Sequence, residues 1–224
     1  MKHSVEPWDV DRLRGVEEAL PPAYRMLVPL GAGLGLRSGE VFGFSVDDVD
    51  LDRLVVTVRR QVRLDASRQV FALPKYERTR EVPLPEYVAE RITDHLMLNP
   101  ARAVTLPYAS REAREDGKPH TMPLVLTSRE GKALNRNYIS ARIWRPALDL
   151  AGVPVTRENG MHVLRHTYAS TMLHAGVSIR AVSEYLGHAD AGFTLRTYAH
   201  MMPSAEVDAR NALDAATRPA RVPG

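Results

Sequence analysis

The stretch GMHVLRHTYAS, Gly160 to Ser170, sets His162, Arg165 and His166 at spacings i, i+3 and i+4, which places three basic side chains along one face at the start of a helix. Such a row repels itself when protonated, so it needs either buried acceptors or an anionic ligand. Leu164, Tyr168, Met172 and Leu173 supply the apolar side of the same helix, and Gly176 stops it. Ser178 is placed to cap a further helix through Leu186, after which comes LGHADAGFTLRTYAHMM.

Upstream, Asp9 can cap a first helix to about Leu20, with Leu13, Val16 and Leu20 on one face and the Pro21-Pro22 pair ending it. A second apolar helix is expected from Tyr24 to about Leu34. It runs into GLGLRSGEVFGF, where Ser38 caps a short turn containing Glu40 and Arg37 is left at a helix junction. The runs RLVVTVRRQVRL, QVFAL and REVPL are rich in β-branched residues and read as a small antiparallel three-stranded sheet in the N-terminal half. In its first strand Val56, Val58, Val62 and Leu64 share one face and Arg59 and Arg63 the other; Lys75 falls in the turn joining the second and third strands.

A helix from about Glu86 to Leu98 precedes residues 99–123, which show no clear period and read as an irregular connection. LVLT is expected as a short strand, Asn135 as the cap of a helix ending near Gly152, and residues 204–217 as a last helix with Ala205, Ala209, Ala212, Leu213 and Ala216 in one stripe. The fold class is α+β, mainly helical.

With 224 residues and 44% apolar content, the chain can build one compact domain. Its 30 Lys and Arg against 27 Asp and Glu leave a formal net charge of only +3, so the distribution of charge matters more than the total. Arg59, Arg60, Arg63, Arg68, Lys75, Arg78 and Arg80 face only Asp65 and Glu77 in one short segment, which predicts a local basic surface. There is no cysteine, which excludes disulfides, thiol nucleophiles and thiolate metal sites. No apolar run reaches the length of a membrane span, and MKHSVEPWDVDRLRG lacks a signal-peptide core, so a soluble, cytoplasmic protein is expected.

Four motifs in order, GLGLRSGE, LPKYERTREVPL, HVLRH and LGHADAGFTLRTYAH, resemble the motif series of the tyrosine recombinases, the phage-integrase family. The matched residues are Arg37, Lys75, His162, Arg165, His188 and Tyr198, with Glu40 at the acidic position that accompanies the first arginine. Val163 and Met161 depart from the common pattern, which often has aspartate and proline there; neither change removes a reactive group. The resemblance implies the tyrosine-recombinase catalytic fold over about residues 1–203, with residues 204–224 a C-terminal helix and tail. It also implies that the upstream core-binding domain usual in the family is absent.

The resemblance implies roles as well. Tyr198 would attack a DNA phosphate to give a 3′-phosphotyrosyl intermediate, and Arg37 and Arg165 would each present a planar fork to the non-bridging oxygens. His188 would donate a further hydrogen bond, Lys75 would protonate the departing 5′-oxygen, and His162 would act as base or proton-transfer partner to the tyrosine. Glu40 would orient Arg37, and Arg59, Arg63, Arg78 and Arg80 would face the DNA. His166 reads as structural, donating to a backbone carbonyl. No metal or cofactor is implied; the partner is double-stranded DNA, the protein is expected to be nucleoid-associated in the cytoplasm, and it is expected as a homotetramer on DNA and a monomer in isolation.

Three other readings stay open at this level. A type IB topoisomerase would share the chemistry but reseal the same strand, and a non-catalytic DNA-binding module would need only the basic surface. His162 and His166 also have the His-x-x-x-His spacing of zinc sites, with His188 as a third ligand, although Val163 stands where a zinc peptidase has its glutamate.

Overall fold

α1 (Val10–Ala19) starts where the Asp9 carboxylate accepts from the Arg12 amide at 2.8 Å, and it ends ahead of Pro21, whose missing N–H cannot extend the ladder. Trp8, just before it, stacks on Trp144 with centroids 6.0 Å apart and planes 3° from parallel. Both indole N–H groups donate to Asn159, Trp8 to the side-chain oxygen at 3.2 Å and Trp144 to the backbone carbonyl at 2.8 Å, which fixes the chain entry against the loop leading to the GMHVLRH segment. The computed structural model describes residues 6–75, 78–112 and 114–198, with Arg210, Leu213, Ala216 and Thr217 of the C-terminal segment. The expected last helix and its alanine stripe otherwise lie outside the described residues.

The apolar segment expected as one helix from Tyr24 to Leu34 is instead a tight turn at Pro22–Tyr24 followed by a wide helical turn at Pro29–Gly33. Pro29 has no amide for the regular ladder and crowds the preceding turn, which explains the break. α2 (Ser38–Phe42) follows, with Arg37 rather than Ser38 as its cap residue.

The strands make two small sheets rather than one. β1 (Val49–Asp50), β2 (Val55–Val58) and β5 (Arg80–Pro83) form an antiparallel sheet in the order β1-β2-β5, with Val58 opposite Arg80. β3 (Gln61–Asp65), β4 (Arg68–Ala72), β6 (Arg102–Ala109) and β7 (Pro119–Leu124) form the second in the order β3-β4-β6-β7, with β4 and β6 parallel. RLVVTVRRQVRL, read as one strand, thus breaks at Arg59-Arg60, because Arg60 turns inward to Asp48 at 2.7 Å and the chain changes pairing partner there. Val56, Val58 and Val62 are buried as expected, whereas Leu64, near the tip of the β3-β4 hairpin, is 47% exposed.

Residues 99–123, read as irregular, contain the β6-β7 hairpin, in which Pro107 lies opposite Pro119. Prolines at those positions mask the strand pattern. LVLT contributes only Leu124 to β7; Val125 donates instead to the Phe44 carbonyl at 3.0 Å.

α3 (Glu86–Leu98) packs beside the Pro29–Gly33 turn. Asn135 caps α4 (Arg136–Tyr138) by accepting from the Asn137 and Tyr138 amides at 2.9 and 3.1 Å. A wide turn over Ile139–Trp144, ahead of Pro146, leads into α5 (Arg145–Leu150). The last described elements are α6 (His162–His174), α7 (Ile179–Leu186), capped by the Ser178 hydroxyl, and α8 (Ala191–Tyr198). Val163, Leu164, Tyr168 and Leu173 of α6 enter one core with Leu30, Leu34, Val182 and Leu186. Among the described residues no helix is long and apolar enough to cross a membrane.

Candidate active site

Arg165 is an arginine inside the protein, 1% exposed. Its guanidinium donates to the carbonyls of Gly35 at 2.6 Å and Leu186 at 2.5 Å, and to His188 Nε2 at 3.1 Å. Gly35 has φ of +64°, and a Cβ there would lie 2.5 Å from the Tyr168 ring, so only glycine can present that carbonyl to Arg165. Burial, then the charge of Arg37, lowers the Arg165 pKa to about 9, still high enough to keep it a cation near neutral pH.

An arginine can only donate, so His188 Nε2 accepts here, and its Nδ1 carries the proton that goes to Thr194 Oγ1 at 2.7 Å. Desolvation, then Arg165 and Arg37, push the His188 pKa down to about 3, which favours this neutral form. The expected donor is thus an acceptor in this arrangement.

Arg37, at the head of α2, donates through its backbone amide to Glu40 Oε2 at 2.9 Å and through Nη1 to Oε1 at 3.0 Å; its Nη2 reaches the Gly187 carbonyl at 3.3 Å. Glu40 therefore does orient Arg37, but it does so together with Arg80, which binds both carboxylate oxygens at 3.0 and 2.8 Å. Arg80 was expected on the DNA-facing surface. It is instead buried, because strand alternation in β5 turns it inward to the Glu40 carboxylate, and its Nε donates to the Tyr185 carbonyl at 2.6 Å. Burial would raise the Glu40 pKa, but the hydrogen bonds and charge of Arg80, with Arg37 and Arg165, hold it at about 2.

Three arginines from three elements thus meet the last carbonyls of α7: Arg80 at Tyr185, Arg165 at Leu186 and Arg37 at Gly187. These carbonyls have no helical partner, and cations suit the negative end of the helix dipole.

Tyr198, at the end of α8, is 2% exposed, and its hydroxyl lies 2.8 Å from His166 Nδ1. Desolvation raises its pKa to about 12, against the opposing charges of Arg165 and Arg37, so the phenol is neutral. The contact between Tyr198 and His166, made through Nδ1, is one that the sequence reading of His166 as a structural carbonyl donor did not include. The His162 ring stands edge-on to His166 with centroids 4.7 Å apart. Desolvation and Arg165 lower the pKa of His166, and desolvation with His166, Arg165, Arg37 and Arg136 lowers that of His162.

Lys75 is exposed on the connection between the two sheets and lines a cavity of about 400 Å³ with Gln61, Arg63, Ser110 and Arg111. Gln61 and Arg63 also line a cavity of about 430 Å³ that includes Arg37 and Arg136, so the two clefts adjoin along β3. Arg78 is exposed beside a third cavity, about 600 Å³, that reaches Gly187 and His188. Arg59 is exposed but ion-paired to Asp48 at 3.2 Å. Sequence reasoning missed Thr194, Arg136 and the contact between His166 and Tyr198. His166, one residue after Arg165, was visible on the shared face; the role of Thr194 had no signal beyond its place one turn before Tyr198.

A sheltered tyrosine with two arginines and three histidines around it, set between helices and two small sheets, defines a tyrosine-recombinase catalytic domain. The chain belongs to the Phage integrase family, whose model matches residues 7–204. It is 26% identical over 221 residues to a tyrosine recombinase XerC-like protein of Caldanaerobacter subterraneus subsp. tengcongensis, an alignment covering 94% of this chain and 54% of that one. It is 32% identical over 188 residues to tyrosine recombinase XerA of Thermococcus kodakarensis, covering 83% and 54%. Its fold is similar to the crystal structure of XerA recombinase, with a TM-score of 0.63 and 21% identity over 97% of this chain and 65% of that one. It is also similar to the Tn1549 transposon integrase in complex with circular intermediate DNA, with a TM-score of 0.71 and 18% identity over 95% and 67%. The chain spans about half the length of the curated relatives it matches.

Proposed function

We propose that this chain is the strand-cleaving and rejoining domain of a site-specific DNA recombinase, with double-stranded DNA as its substrate. The observation that carries the reading is the Tyr198 hydroxyl held at 2.8 Å by a histidine one residue from the buried Arg165. A phosphodiester exchange needs a nucleophile, cations for the charge on the phosphorane and an acid for the leaving oxygen. Tyr198 attacks phosphorus, Arg37 and Arg165 bind the non-bridging oxygens, and Lys75 protonates the departing 5′-oxygen. Glu40 holds Arg37, and His162 faces the phosphate at the start of α6. His188 donates to the phosphate once Arg165 turns to the non-bridging oxygens and the imidazole proton moves from Nδ1 to Nε2. Arg59, Arg63 and Arg78 lie on the DNA side.

The 3′-phosphotyrosyl bond conserves the energy of the broken diester, so a second 5′-hydroxyl can reverse the step without ATP. Incubation with DNA in the presence of a chelator, followed by denaturation in SDS, is expected to trap DNA on the protein through Tyr198. Relaxation of supercoiled DNA without strand exchange would point to the topoisomerase reading, and binding without an adduct to a non-catalytic module.

Arg165→Lys is expected to slow adduct formation by about 10²–10³-fold, the usual cost of one donor to a developing oxyanion. A lysine cannot span the Gly35 and Leu186 carbonyls and still offer a planar fork. Single-turnover rates checked against the thermal midpoint separate the two effects. Recombination of two duplexes requires four protomers, so the active assembly is a homotetramer on DNA. Light scattering of the protein with paired target sites is expected to give that mass, and a complex of one protomer would reject it.

A further inference from the structure

We propose that His166, not His162, takes the proton from Tyr198 when the tyrosine attacks. The inference rests on the catalytic reading above and deepens it.

The other candidate bases of the site are engaged elsewhere. His188 has both nitrogens committed, Nε2 to Arg165 and Nδ1 to Thr194. Glu40 has both oxygens bound by arginines. Asp190 is exposed and occupied with the Gly192 amide and Arg196. His162 meets the ring of His166 edge-on, and the hydrogen bond to the Tyr198 hydroxyl is made by His166 Nδ1, at 2.8 Å, within the range for direct proton transfer.

His166 is also in the right state to accept. Among the described residues, the ionisable groups that face it are His162 and Arg165 on α6 and Tyr198 on α8. Desolvation and Arg165 favour the neutral ring, and in its Nε2-protonated tautomer the Nδ1 lone pair accepts from the phenol at 2.8 Å, the arrangement the proposal requires.

The step balances. The Tyr198 O–H bond breaks and its proton goes to Nδ1, while an oxygen lone pair forms the bond to phosphorus. The bond from phosphorus to the 5′-oxygen breaks with its electron pair on that oxygen, which takes a proton from the general acid. In religation His166 returns its proton to the tyrosine. The imidazolium formed beside Arg165 is unfavourable in the empty site and favourable once the phosphorane brings negative charge, so the transfer is tied to attack.

Asparagine at position 166 can accept a hydrogen bond from the phenol but cannot take its proton. In single-turnover adduct formation, His166→Asn is expected to be slower than wild type by about 10²–10⁴-fold near neutral pH. The deficit should shrink by roughly tenfold per pH unit as phenolate becomes available without a base. Wild type should show a limb that falls below a midpoint under 6.5, the ordinary histidine value, and His166→Asn should lack it. His166→Asn with the wild-type rate and profile, or a deficit constant with pH, overturns the inference and leaves the recombinase reading standing. Absence of any Tyr198-dependent adduct in wild type overturns both. Should His166→Asn fail to fold, His162→Asn decides: an acid limb that persists supports His166, and one that disappears assigns the proton to His162.

Discussion

Replacing Tyr198 with phenylalanine is expected to abolish the covalent protein–DNA adduct while leaving the fold and DNA binding near wild type. The substitution removes one atom from a side chain that is 2% exposed, so the ring keeps its packing and only the bond to His166 Nδ1 is lost. That loss amounts to about 1 kcal/mol of stability, small beside the roughly 5–15 kcal/mol of an ordinary domain. The chemistry has no such reserve, since phenylalanine offers no oxygen to phosphorus. Thr194 is the neighbouring hydroxyl, but it accepts from His188 Nδ1 and so lies on the side away from a base. The measurement is SDS-stable adduct yield beside filter binding of the same DNA. An adduct that persists in Tyr198→Phe would move the nucleophile elsewhere and reject the proposed mechanism.

Glu40→Ala should be the most destabilising single change in the site, by about 3–5 kcal/mol, because it strands a buried cation. The Arg80 side chain is 5% exposed and its two bonds to Glu40 would have no replacement. Arg37 would lose the carboxylate that holds both its amide and its guanidinium. Pairing Glu40→Ala with Arg80→Met should recover much of the stability and little of the activity, because Arg37 keeps only its 3.3 Å contact to the Gly187 carbonyl.

The same ion pairs fix an acid limb. The Glu40 pKa falls from 4.5 to about 2 on folding, so its contribution is fully present above 4.5 and is lost as pH drops toward 2. Asp48, buried and with a raised pKa, contributes with the opposite sign and is unchanged in the variant. Thermal midpoints across that window should therefore fall less steeply in Glu40→Gln than in wild type. Parallel curves would mean that Glu40 does not carry the acid sensitivity.

Much of this arrangement was legible in the sequence because it depends on local rules. Asp9, Asn135 and Ser178 cap helices as their chemistry predicts, and the order of the motifs led to the family and to Arg37, Arg165, His188 and Tyr198. What escaped depends on contacts across the chain. Arg60 and Arg80 counted as surface charge until Asp48 and Glu40, 12 and 40 positions away, were seen to hold them inside. The β6-β7 hairpin was hidden by prolines at paired positions, and the Pro29 turn by an apolar run that lacked a visible period. The contact of His166 with Tyr198 escaped because the partner lies 32 residues downstream, on another helix.

The end of α7 acts as a ruler. Arg80, Arg165 and Arg37 come from a strand and two helices, yet each finds its place by docking on one of three successive backbone oxygens. The relative placement of the guanidinium groups is therefore tied to consecutive peptide carbonyls, the last of them turned by the left-handed Gly187 at φ +61°, as well as to the side chains themselves. Substitutions at the exposed positions of α7 leave that gauge intact, whereas insertion or deletion of one residue before Gly187 would shift every mark on it at once.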